Sequence, residues 1–68
     1  MKLIHIKIVE TRYETYATNS LIDAIKFLND RPEDEKAVIS NFEASKDSNY
    51  QYKVTFKIDK VVRNYEVE

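Results

Sequence analysis

A chain of 68 residues with 43% hydrophobic and 34% charged side chains and a formal net charge of −1 has the make-up of a folded protein, neither a disordered tail nor a polyionic binder. It contains no glycine, no cysteine and one histidine. These absences exclude Gly-rich phosphate cradles, thiolate nucleophiles, disulfides, Cys-based zinc or iron–sulfur sites and paired-histidine metal sites.

Residues 2–9 alternate, with Ile4, Ile6 and Ile8 on one face and Leu3, His5, Lys7 and Val9 on the other. β-Branched residues at period 2 predict a strand with one face buried. Glu10-Thr11-Arg12 interrupts the pattern and residues 13–17 resume it, which predicts a hairpin, with one long bent strand as the alternative. Ser20 then opens a helix. Asp23, three residues on, completes a variant capping box and suits the positive helix N-terminus. Leu21, Ala24, Ile25 and Leu28 form one helical stripe, widened by Ile22 and Phe27, and this face is expected to lie on the sheet. Asn29-Asp30 can end the helix in place of glycine by adopting left-handed backbone, and Pro32 blocks its continuation.

Residues 33–45 fit two templates. Pro32 followed by three acids resembles a helix start, with Val38, Ile39 and Phe42 on one helical face. The same residues read as a strand with Val38, Phe42 and Ala44 inward, paired with the next strand across a turn at 46–49. We take the strand, with a second helix at 33–45 as the alternative. Tyr50, Tyr52, Val54, Phe56 and Ile58 alternate with Gln51, Lys53, Thr55, Lys57 and Asp59, a strand with one packed and one wet face. Asp59-Lys60 is expected to turn back into residues 61–67, where Val61, Arg63, Tyr65 and Val67 share a side. The expected fold class is α+β: a mostly antiparallel sheet of four or five short strands with one helix on one face, in the order β(β)αβββ, forming a single small domain over residues 1–68.

Little in this chain carries reaction chemistry. His5 lies opposite the isoleucine face beside Lys7 and is expected to be a surface histidine. Asp30, Glu33, Asp34 and Glu35 lack the spacing and the glycine of a calcium loop and are expected to be a solvated acidic turn. No catalytic, metal or cofactor residue is assigned. Residues 46–63 hold five bases against two acids. Lys53, Lys57, Lys60 and Arg63 are therefore the candidates for a nucleic acid, although the aromatics on which bases would stack fall on the opposite face of the strand.

Five tyrosines in so short a chain point instead to protein contacts, since Tyr offers a large apolar face and a polar tip at low entropy cost. Tyr13 and Tyr16 lie on opposite sides of their strand, and Tyr65 is near a C-terminal edge. These three are the candidate protein contacts. A domain this small buries only about 60% of the surface its unfolded chain exposes, and the absence of disulfides favours a partner or self-association as reinforcement. The expectation is a non-enzymatic interaction module, an inhibitor, adaptor or accessory protein acting on a larger partner or as a homodimer. Its Lys/Ile/Asn/Tyr-rich composition suits a phage or mobile-element accessory protein. The alternative is a nucleic-acid-binding or regulatory protein. No apolar run approaches the roughly 18 residues of a membrane span, and no signal peptide is evident, so a cytoplasmic location without membrane attachment is expected.

Overall fold

A computed structural model describes residues 1–67. Three strands and one helix run in the order β1 (His5–Thr18), α1 (Leu21–Asn29), β2 (Glu35–Ala44) and β3 (Tyr52–Glu66). The sheet order is β1-β3-β2, with both neighbours antiparallel to β3. β1 and β2 therefore run parallel to each other, joined by a crossover through α1, with the last strand inserted between them.

The α+β class holds with fewer, longer strands than expected. β1 runs unbroken through Glu10-Thr11-Arg12, where Glu10 pairs with Lys60 and Arg12 with Ile58. β3 likewise passes straight through Asp59-Lys60 because Asp59 accepts a hydrogen bond from the Thr11 hydroxyl across the ladder at 2.5 Å. Residues 33–45 supply β2, not a second helix.

Two irregularities set which side chains share a face. Ile39 pairs with Phe56 but Asn41 pairs with Thr55, so Ser40 is an extra residue in β2. Val9 pairs with Val61 but Ile8 pairs with Arg63, so Val62 is an extra residue in β3. Each is a β-bulge and flips the alternation beyond it. Phe42 and Ala44 accordingly share the helix-covered face with Ile39 and Ala37, whereas Val38 lies on the open face, against expectation. Arg63 and Tyr65 share a face, but Val61 lies on the other.

The Ser20 side chain accepts the Asp23 N–H at 3.4 Å and caps α1. At the other end Asp30 N–H donates to Lys26 O at 2.9 Å. No described residue has positive φ, so the helix ends without the left-handed residue that Asn29-Asp30 suggested. The glycine-free loop between β2 and β3 is shaped by side chains. Ser45 Oγ accepts from Asp47 N–H at 3.0 Å and Asp47 Oδ1 accepts from Asn49 N–H at 2.9 Å, two side-chain turns in succession. Asn19 ties this loop to the β1–α1 corner, accepting from Gln51 N–H at 2.8 Å and donating to Asn49 O at 3.0 Å.

Among the described residues only Ala24, Val54, Phe56 and Ile58 are buried, with Phe27, Leu28 and Ala37 packed against them. The core is thus the patch where α1 crosses the middle of β3. The molecule is long and thin, 56 × 19 × 13 Å, with a radius of gyration of 16.4 Å. A compact chain of this length would have about 11 Å.

Candidate functional site

α1 presents apolar residues on two sides but rests on one sheet. Ala24, Phe27 and Leu28 turn inward. Leu21 and Ile25, expected in the sheet-facing stripe, and Ile22, expected to widen it, are instead exposed, at 47%, 56% and 65%. Beside the helix, between α1 and β1, lies a cleft of about 230 Å³ lined by Tyr16, Asp23, Ala24, Phe27, Val54 and Phe56. Small-molecule sites are usually roughly 300–1,000 Å³. This one has room for a single side chain.

Tyr16, one of the three candidate contacts, forms the rim of the cleft. Its ring lies 5.2 Å from that of Phe27 and 5.9 Å from that of Phe56, and its hydroxyl donates to Glu14. Glu14 also accepts from Arg12 Nε at 2.6 Å. The Tyr16 hydroxyl and the Arg12 guanidinium hold the Glu14 carboxyl below its ordinary value, and Glu14 in turn raises the Tyr16 phenol. Arg12 reaches on to Glu35 at 3.2 Å, and Glu35 meets Arg31 at 3.5 Å. The Arg31 guanidinium sits 3.7 Å above the Phe27 ring, and its Nε donates to Phe27 O at 3.0 Å. This chain of contacts absorbs Glu35, which the sequence placed in the solvated acidic turn. Among the described residues no three acidic or histidine side chains converge on a metal position.

The opposite sheet face is uncovered. Tyr13 stands there, 62% exposed and directly across from Lys57. Lys53 lies on the same face but is paired with Glu43 at 2.9 Å. Lys60 and Arg63 fall on the helix-covered side of the sheet, opposite Glu10 and Ile8, so the four basic candidates do not form one stripe. Tyr65 lies beyond the core, across from Ile6. The tyrosine candidates are therefore dispersed, Tyr13 on the open face and Tyr16 and Tyr65 at opposite ends of the helix-covered face. His5 is exposed and its Nε2 is hydrogen-bonded to Asn64 Oδ1.

Sequence reasoning missed the outward apolar face of α1. Its only signal was an apolar arc too wide for a nine-residue helix to bury on one sheet. Among the described residues no helix is long and apolar enough to cross a membrane. Comparison with protein-family models, curated proteins and solved structures finds no match.

Proposed function

We propose that this chain is a non-enzymatic protein-interaction module that occupies the surface of a larger protein. The observation that supports this reading is the outward face of α1. Leu21, Ile22 and Ile25 stand at helical spacing and are exposed, although the same helix already buries a second apolar face. A helix that offers apolar residues at i, i+1 and i+4 fits a hydrophobic groove on a partner. The cleft rimmed by Tyr16 would take one anchoring side chain in return, since interface energy concentrates where a few large side chains fill pockets.

The test is a tagged pull-down from lysate of the source cells, with and without nuclease, comparing the natural chain with an Ile22→Lys/Ile25→Lys variant. A stoichiometric protein that survives nuclease and is lost with the variant supports the reading. Equal capture by both chains overturns it for this face.

A second reading, nucleic-acid binding, draws on one observation. Tyr13 faces Lys57 on the open side of the sheet, giving that face the stacking aromatic the sequence did not place there. It predicts binding to mixed-sequence single strands that weakens steeply with salt and is lost on Tyr13→Ala or Lys57→Glu. Flat fluorescence anisotropy at low salt would remove it.

A further inference from the structure

β2 ends its pairing at Glu35, opposite Lys60, and Val61 N–H donates to Asp34 O at 2.8 Å. From there β3, central along the rest of the sheet, has β1 on one side and no described strand on the other. Residues 4–9 and 61–67 therefore project as a two-stranded arm, and two-stranded ribbons are marginal in water. Its isoleucine face, which the sequence marked for burial, is open, with Ile8 45% and Ile4 66% exposed.

The edge of the arm makes a more specific demand than its face. Val67 N–H donates to Ile4 O at 3.0 Å, so Val67 turns its main chain toward β1. Successive residues of a strand turn theirs to opposite sides. The N–H and C=O of Asn64 and Glu66 therefore point to the empty side, where they make no described hydrogen bond. The bulge at Val62 reconciles this with Val61, which faces Asp34. Beside this edge, where β2 stops, lies a shallow groove of about 370 Å³ lined by Glu33, Asp34, Val61, Val62, Arg63 and Asn64. Sheet edges are ordinarily protected by bulges and charged side chains. The outer edge of β2 has its bulge at Ser40, and β1 carries Lys7, Glu10, Arg12 and Glu14. The β3 edge from Arg63 to Val67 is regular and uncovered.

We propose that an extended segment of the larger partner protein adds to this edge as a strand, in line with β2 and antiparallel to β3. This rests on the interaction-module role proposed above and adds the chemistry of the partner at a second surface. A row of unpaired main-chain groups is met by another extended main chain. A strand there sets two of its residues directly across from Asn64 and Glu66 and exchanges N–H and C=O bonds with both. All the free groups of the arm's edge are then satisfied, without moving the Val61–Asp34 contact.

The side chains on either side of that edge define which segment fits. On the open face, Glu66 favours a basic residue across from it. Asn64 has its Oδ1 bonded to His5 Nε2, which leaves its amide N–H to donate to an acceptor. On the helix side, Tyr65 favours an aromatic or β-branched neighbour and Arg63 an acidic one. From its N-terminal end the segment is therefore basic, aromatic or β-branched, polar acceptor, acidic.

The probe is an acetylated and amidated peptide, threonine-lysine-tyrosine-threonine-glutamate-threonine, titrated to about 1 mM against the isotope-labelled chain. The main-chain amides of Asn64 and Glu66 should shift and gain protection from hydrogen exchange, while those of Val54 and Phe56 should not change. N-methylation of the peptide's lysine and second threonine, which face Glu66 and Asn64, should weaken binding at least about tenfold. Exchanging the peptide's lysine and glutamate should weaken it too, and Arg63→Glu/Glu66→Lys should restore binding to the exchanged peptide. Ile22→Lys/Ile25→Lys should leave peptide binding unchanged, so the edge and the outward face of α1 are tested separately. A peptide that shifts no amide of the arm overturns the proposal even if capture through α1 stands. Equal binding by the N-methylated peptide overturns it as well. So does a chain that dimerises through the same amides without peptide, since a second copy then occupies the edge.

Discussion

Phe27 of the helix and Phe56 of the central strand stack with ring centroids 4.1 Å apart at 27°, and this pair joins the two layers of the molecule. Phe56 is 2% exposed, flanked along its strand by fully buried Val54 and Ile58. With so few buried residues the core has no second centre to take over. Removing a buried phenylalanine ring costs about 3–5 kcal/mol. The core of a chain this size supplies about 3–5 kcal/mol in total. Phe56→Ala should therefore abolish the cooperative urea transition at room temperature, and Phe56→Leu should lower its midpoint while keeping it cooperative. An unaltered transition in Phe56→Ala would mean that α1 is not held by this contact.

Arg31 closes the same cluster from above. Its guanidinium covers the Phe27 ring at 3.7 Å while its Nε caps the Phe27 carbonyl near the helix C-terminus. A lysine could supply the charge but not the planar stack and the directed N–H together. Cation–π contacts of this kind contribute about 0.5–2 kcal/mol. Arg31→Lys should cost about 1 kcal/mol in chemical denaturation, with Arg31→Ala costing more. Equal stability of the lysine variant would show that charge alone accounts for the residue.

The central strand was legible because Val54, Phe56 and Ile58 alternate with polar residues over a stretch in which one face really is dry. The same rule misjudged Glu10-Thr11-Arg12 and Asp59-Lys60. There the helix-side positions are held by charged groups, Arg12 opposite buried Ile58 and paired with Glu14 and Glu35, and Glu10 opposite Lys60, so polarity marked cross-strand pairing and not a turn. Cross-strand partners (Thr11 with Asp59, Glu10 with Lys60) let both strands continue. The bulges at Ser40 and Val62 depend on the pairing register, which residue types do not encode locally, and so the sides of Val38 and Val61 were misassigned. The outward apolar face of α1 and the open isoleucine face share a different cause. Sequence pattern marks a surface for burial without saying whether this chain supplies the cover.

The Tyr16–Glu14–Arg12 contacts predict a defined pH window. Glu14 is held below its ordinary value of 4.5, first by the Tyr16 hydroxyl and then by Arg12. Its contribution to stability is present above 4.5 and is lost as pH falls through the depressed value. Tyr16 is raised above its ordinary value of 10.0, chiefly by its bond to Glu14. Its contribution is complete below 10.0 and is lost as pH rises through the raised value. Absorbance titration at the phenolate band should show a late component among the tyrosines that disappears in Tyr16→Phe. The same variant should flatten the fall of Tm at acid pH. If the late component persists in Tyr16→Phe, another tyrosine carries it.

Ser40 gives the sharpest test of register because its side chain and its presence have separate consequences. Its side chain is exposed and makes no described hydrogen bond, so Ser40→Ala should change stability by no more than about 0.5 kcal/mol. Deleting the residue is different. It removes the bulge, and one half of β2 must then turn over. If residues 35–39 turn, Ala37 leaves the core and Glu35 is carried away from Arg12 and Arg31. If residues 41–44 turn, Phe42 leaves its stack with Tyr52, now 5.4 Å centroid to centroid. Neither outcome keeps both halves of the strand satisfied. The deletion should therefore lose cooperative thermal unfolding, followed by near-ultraviolet circular dichroism of the tyrosines, while Ser40→Ala keeps it. A deletion variant as stable as the natural chain would show that β2 can slip against Phe56 without cost and that the bulge does not set its register.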